Sequence, residues 1–207
     1  MVFYRVWDRV FSTWSHVAVL RALQDSAHGS TGREIARLSG MNHRSCLQAL
    51  TELEELSLVR RVRGGRDHLF TLNREHLLVE EGILPLLALE RAFSGTVFTH
   101  LAKRLTKLAK SIIVFGSVTR NEETPSSDLD LCLVVRAEKD RAAAEAAVHS
   151  IAPQLLSHYG AKLAPYVLTR KEFIRKAKRN LPPVHDIVKE GVVIAGMSVK
   201  GLLSGKE

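Results

Sequence analysis

The chain has 207 residues, 45% of them hydrophobic, enough for one ordinary domain or two small ones that each bury a core. That excludes a disulfide-stapled miniprotein and a disordered tail. Lys and Arg total 30 against 22 Asp and Glu, and the formal charge of +8 is an excess that suits a polyanionic partner such as nucleic acid or nucleotide without proving one.

The two cysteines, Cys46 and Cys132, sit far apart in apolar stretches, the pattern of reduced thiols in a cytoplasmic protein and not of a disulfide or a zinc knuckle. The first nine residues mix charge among their apolar side chains too early for a secretory signal. The longest apolar run, residues 83–89, contains Pro85 and stops at Glu90, well short of the roughly 20 residues a membrane span needs. The expectation is a cytoplasmic protein with no membrane segment.

In chain order, Val17, Val19, Leu20 and Leu23 recur at helical spacing over residues 15–23, and residues 25–32 form a polar, glycine-containing break. Thr31 and Glu34 make a capping box for a second helix, with Ile35, Ala36 and Leu38 as its buried stripe and Gly40 as its end. A third helix over residues 43–58 is predicted to bury Cys46, Leu47, Leu50, Leu53 and Leu56. Then Val59-Arg60-Arg61-Val62-Arg63 and Arg66-Asp67-His68-Leu69-Phe70-Thr71-Leu72 flank Gly64-Gly65, the pattern of a β-hairpin. Three helices, the last two joined by a tight turn, followed by a basic hairpin resemble the winged helix-turn-helix DNA-binding domains of transcriptional regulators over about residues 10–75.

Residues 74–110 read as helical, a linker and first helix over 77–89 and then a helix over 92–109 with Phe93, Val97, Leu101, Leu105 and Leu108 on one face. Strands follow at 111–115 and 129–135, a helix at 139–158, a strand at 163–169, a basic helix at 170–179, and over 183–195 a helix turning into Val192-Val193-Ile194. The expected organisation is a winged helix-turn-helix domain at 1–75, a helical linker at 76–91, and a small α/β domain with a mixed sheet at 92–207, an α+β protein as a whole.

The chemistry gathers in the second part. Asp128 and Asp130 alternate along a strand, so both carboxylates face one way, and like charges so placed are tolerated when a hard cation such as Mg²⁺ or Mn²⁺ lies between them. Gly116-Ser117 at a strand end offers backbone N–H groups and a hydroxyl to phosphates, and Arg120 adds a charge-assisted contact. Gly-Ser, ten residues, then Asp-x-Asp between strands resembles the nucleotidyltransferase superfamily that includes DNA polymerase β and the minimal nucleotidyltransferases, and Arg120, Glu122 and Ser127 extend the match. Asn121 stands where that family usually has glycine.

The resemblance implies attack of an acceptor hydroxyl on the α-phosphate of an NTP, ATP first among them, with Asp128 and Asp130 as metal-holding catalytic acids. Gly116, Ser117, Arg120 and Ser127 are then the nucleotide contacts. A third carboxylate is expected on the strand at 163–169, which contains no acid; Glu172 and Asp186 lie beyond it, out of position.

For double-stranded DNA, the expected contacts are His43, Arg44 and Gln48 at the start of the third helix, and Arg60, Arg61, Arg63 and Arg66 on the hairpin. The plainer alternatives are a solvated helix start and arginines that protect a strand edge. The basic run at 170–179 reads first as a solvated helix face with Phe173 and Ile174 beneath it, and second as a receiver for an acidic acceptor or a triphosphate. His185-Asp186 has no serine or cysteine to complete a catalytic relay.

Three functions stay open: a nucleotidyltransferase positioned by its winged helix, a transcriptional regulator whose degraded transferase domain only senses nucleotide, and an antitoxin-like module that modifies or binds a partner. A homodimer through residues 74–110 is a further expectation.

Overall fold

The computed structural model describes residues 4–64 and 67–204, and the chain divides into two compact units, Met1–Phe93 and Ser94–Glu207. The hairpin tip, Gly65 and Arg66, lies outside the described residues.

In the first unit a short helix, α1 (Val6–Val10), which the sequence reading did not anticipate, leads into α2 (Trp14–Leu23). The polar break after it contains a two-residue strand, β1 (Ser30–Thr31). Helix α3 (Gly32–Ser39) starts with the expected capping box, Thr31 accepting from the Glu34 N–H while the Glu34 carboxylate accepts from the Thr31 N–H at 2.8 Å. It ends where Gly40 adopts φ 68°. Helix α4 (His43–Glu55) is capped by Asn42, whose side-chain oxygen accepts from the Ser45 N–H at 2.9 Å. Strands β2 (Val59–Gly64) and β3 (Asp67–Leu72) pair antiparallel with Gly64 opposite Asp67, and β1 adds to β3, in the order β1-β3-β2.

Leu20, Leu23, Ile35, Cys46, Leu50, Leu53, Leu58 and Phe70 form the centre of this unit's core. Three of the expected buried positions are corrected. Leu38 is 58% and Leu47 37% exposed, and Leu56 is only partly covered, while Ala49 is buried instead. A helix of eight residues such as α3 offers little more than one buried stripe, and Ile35 and Ala36 already fill it.

The expected break near residue 90 is absent. A π-helical turn, Val79–Ile83, runs into one helix of 22 residues, α5 (Leu84–Leu105). Glu90 and Arg91, which look like a polar interruption, are solvent-side residues that pair with Arg21 and Asp25 and leave the helix intact. Phe93, expected on the buried face, is 45% exposed, whereas Val97, Leu101 and Leu105 are buried.

The second unit continues with β4 (Ala109–Phe115), the single turn α6 (Ser117–Arg120), β5 (Leu129–Val135), α7 (Arg141–Tyr159), β6 (Leu163–Thr169), α8 (Arg170–Lys178), α9 (Val184–Glu190), β7 (Val192–Gly196) and α10 (Val199–Ser204). The last of these was not anticipated. The sheet order is β6-β5-β4-β7, with β5 and β6 parallel across the α7 crossover and the other pairs antiparallel, a mixed sheet in an α+β fold.

Strand alternation sorts the side chains onto two faces. Ile112, Val114, Leu129, Leu131 and Leu133 pack with α5 and α7, and Ile113, Phe115, Cys132 and Val134 pack with Phe173 of α8, Ile187 of α9 and Leu202 of α10. By the same parity Asp130 belongs to the face that α8–α10 cover. Burial there pushes the Cys132 thiol up to about 12, so it behaves as an apolar core residue.

Candidate functional site

The site begins where β4 ends. Phe115 is the ladder partner of Asp130 on β5, and Gly116 follows with φ 80° and ψ −151°, a conformation open essentially to glycine alone. An added Cβ at Gly116 would lie 2.2 Å from Oδ2 of Asp130. The absence of a side chain is therefore what lets this carboxylate sit against the Gly-Ser turn. Ser117 opens α6, whose turn is closed by the Thr119 hydroxyl donating to the Gly116 carbonyl at 2.8 Å and by the Glu122 N–H donating to the Ser117 carbonyl at 3.0 Å. Asn121 ends the turn at φ 54°, in the left-handed region that asparagine enters more readily than other side chains, which explains its place where glycine is expected.

Asp128 immediately precedes β5 and Asp130 is its second residue. Partial burial, and next the nearby Asp128 charge, raise the Asp130 carboxyl above its ordinary range, while Arg120 pulls it down. Lys162 Nζ lies 3.1 Å from Asp128 Oδ1. With Lys162 70% exposed this ion pair is weak and displaceable. Two hard carboxylates beside an open backbone turn are a donor set that would fit Mg²⁺ or Mn²⁺.

Among the described residues no cluster of three or more His, Cys, Asp or Glu side chains is placed to hold a metal. The ladder register explains why: β6 places Ala164 beside Asp130. Glu172 is occupied elsewhere, accepting from the Thr169 N–H at 2.8 Å and from Arg141 at 2.5 Å, and Asp186 is exposed on α9.

Of the remaining expected nucleotide contacts, Arg120 is engaged by Glu122 at 2.7 Å and by Glu190, and Ser127 Oγ accepts from the Thr124 N–H at 2.9 Å. Both side chains brace the loop between α6 and β5. Lys162 had no sequence signal, since 34 positions separate it from Asp128.

In the first unit His43, Arg44 and Gln48 are exposed on the opening turns of α4. Gln48 donates to Glu52 at 3.0 Å, Arg60 pairs with Glu75 at 2.6 Å, Arg61 pairs with Glu54 at 3.2 Å, and Arg63 is exposed on β2. Arg66 lies outside the described residues. A cavity of about 300 Å³ is lined by Thr31, Arg33, His43, Leu47, Arg61 and His68. It brings His43 and Arg61 together and adds Arg33 and His68, which the sequence reading passed over because β3 and the start of α3 are far apart along the chain.

A family model described as a nucleotidyltransferase domain matches residues 99–196, a stretch that contains Gly116, Ser117, Asp128 and Asp130. The matched stretch lies within the second unit, which is thus similar to nucleotidyltransferase domains over those residues. Comparison with curated proteins gives no match, and neither does comparison with solved structures. No helix among the described residues is long and apolar enough to cross a membrane.

Proposed function

We propose that the second unit binds an NTP at Gly116, Ser117, Asp128 and Asp130 and transfers its nucleoside monophosphate to an acceptor, while the first unit is a winged helix-turn-helix that holds duplex DNA. The observation that carries the reading is the close approach of Asp130 to the side-chain-free Gly116, which puts an acid and a phosphate-accepting turn at one spot. Asp128 and Asp130 would hold Mg²⁺ or Mn²⁺, which supplies charge stabilisation to the transferring phosphoryl group. Gly116 admits the phosphates against the backbone, and Ser117 donates its hydroxyl to a phosphate oxygen. Strand β6 supplies no carboxylate to take the proton of an acceptor hydroxyl, a loss worth on the order of 10² to 10⁴ in rate. That gap favours the second reading, in which the domain senses nucleotide for a DNA-binding regulator.

Support for the DNA-binding half comes from α3 and α4, joined through Gly40 and Asn42, and from the basic β2–β3 hairpin beside them. Phosphate contacts from Arg44 and Arg63 would make binding fall steeply with salt.

The test is incubation with each α-³²P-labelled NTP and Mg²⁺ or Mn²⁺, with DNA, RNA and cell extract as acceptors, against Asp128→Ala/Asp130→Ala. Transfer that disappears in the double variant establishes the enzyme. Metal-dependent NTP binding without transfer establishes the sensor, and loss of both overturns the nucleotide reading. A gel shift with duplex DNA that is unchanged by Arg44→Ala/Arg63→Ala sinks the DNA interface.

A further inference from the structure

The missing base bears on the chemistry of the acceptor. Ala164 is the ladder partner of Asp130 in the parallel β5–β6 pair, so it is the β6 position nearest Asp130 on the face that α8 covers. Two residues on, Tyr166 shares that face as the partner of Cys132. Its phenol oxygen accepts a hydrogen bond from Lys176 Nζ of α8 at 2.5 Å, and the ammonium lies 5.1 Å from the ring centroid. Where an acid would take a proton the chain presents the Ala164 methyl group, and the phenol and ammonium follow two residues, or roughly 6–7 Å, farther along the same face, beside Cys132.

Resting on the nucleotidyltransferase reading above, we infer that the acceptor is a phosphate monoester, bound by Lys176 and Tyr166. A monoester's second ionisation lies near pH 6, so its oxygens are already anionic at neutral pH and attack without a general base. The geometry suits such a group. Lys176 spends one N–H on the phenol oxygen, which leaves two ammonium protons and the phenol proton to meet the oxygens of a doubly charged phosphate. Lys171, Arg175 and Lys178 on the same helix add positive potential, whereas Arg170 is held by the carbonyls of Gly201 and Leu202. In the step, an acceptor phosphate oxygen forms a bond to the α-phosphorus and the bond from that phosphorus to the bridging oxygen of the β-phosphate breaks. Pyrophosphate leaves with that electron pair, no proton is removed, and the product is a pyrophosphate diester.

The experiment uses the full chain with two matched acceptor pairs: one short oligonucleotide bearing a 5′-phosphate or a 5′-hydroxyl, and glucose 1-phosphate or glucose. Binding of each to metal-free protein is measured for wild type, Lys176→Gln and Tyr166→Phe, and transfer from α-³²P-NTP is measured in parallel. The phosphorylated member of at least one pair is expected to bind about tenfold tighter than its partner, with Lys176→Gln abolishing the preference and Tyr166→Phe weakening it. Label is expected on the phosphate acceptor alone, and the two pairs separate a nucleic-acid end from a small sugar phosphate.

Equal binding within both pairs, or label on a hydroxyl acceptor, overturns the inference. Ala164→Asp is expected to gain transfer to the hydroxyl acceptor; no gain, in a variant that binds NTP as wild type does, overturns the claim that a missing base restricts the acceptor. Metal-dependent NTP binding is measured alongside. Its absence overturns the nucleotidyltransferase reading itself, whereas its presence without transfer to either phosphate acceptor overturns the acceptor assignment alone.

Discussion

Substitution of Gly116 by alanine perturbs the backbone and the acid pair together. At φ 80° and ψ −151° any side chain is strained, at about 1–3 kcal/mol. The new Cβ would stand 2.2 Å from Asp130 Oδ2 and 3.1 Å from its Cγ, against the 3.4 Å at which ordinary contact begins. The carboxylate must retreat by about 1 Å, a displacement that typically lowers catalytic efficiency about 10²-fold where geometry is exacting. Urea unfolding of the second unit and titration with Mg-ATP measure the two effects separately.

Gly116→Ala is expected to lose about 2 kcal/mol of stability and most of its metal-dependent ATP affinity. Adding Asp130→Ala removes the clash and leaves only the backbone strain, so the double variant regains part of the stability but none of the binding. A Gly116→Ala protein that keeps both stability and ATP affinity would refute the claim that this contact organises the site.

Glu172 bridges the start of α8 to Arg141, and the Thr169 N–H first, then Arg141 and the Thr169 hydroxyl, hold its carboxyl below the ordinary range against the opposing effect of burial. The folded state therefore binds fewer protons than the unfolded chain: the stabilisation is complete above about pH 4.5 and is lost as pH falls through the depressed folded value. Glu172→Gln is expected to cost about 1–2 kcal/mol at pH 7 and to flatten that acid limb, as read by denaturation at pH 7 and pH 3. Thr31→Ala removes the hydroxyl that caps α3 and should cost the first unit about 1 kcal/mol in a urea titration. Asn121→Ala, at φ 54°, should cost about 1 kcal/mol of second-unit stability while Asn121→Gly costs nothing, and equal effects of the two would show that the left-handed turn is not what selects asparagine.

Features set by local chemistry were legible without coordinates. The strands at 129–135 and 163–169 fall at the expected residues because runs of apolar and β-branched side chains between turn residues leave little alternative. The α3 cap was readable because its two partners are three residues apart. Burial of single leucines was less legible. Leu38 and Leu47 satisfy helical spacing yet face solvent, since periodicity names a stripe and neighbouring elements decide how wide the covered part is. The polar pair Glu90-Arg91 suggested a break that its partners on other segments make unnecessary.

The candidate site divides the same way. Its residue types and their spacing, Gly116-Ser117 and Asp128 with Asp130, stand in the amino-acid sequence, because the two acids are only two residues apart where a strand begins and a glycine at a strand end announces a close approach. The tertiary structure decided which atoms meet: Asp130 against Gly116, Lys162 against Asp128, Ala164 beside Asp130, and Lys176 on Tyr166. Those contacts join positions brought together by the β4–β5 and β5–β6 ladder registers and by the packing of α8 on the sheet, and register and packing are properties of the assembled core that no local pattern encodes.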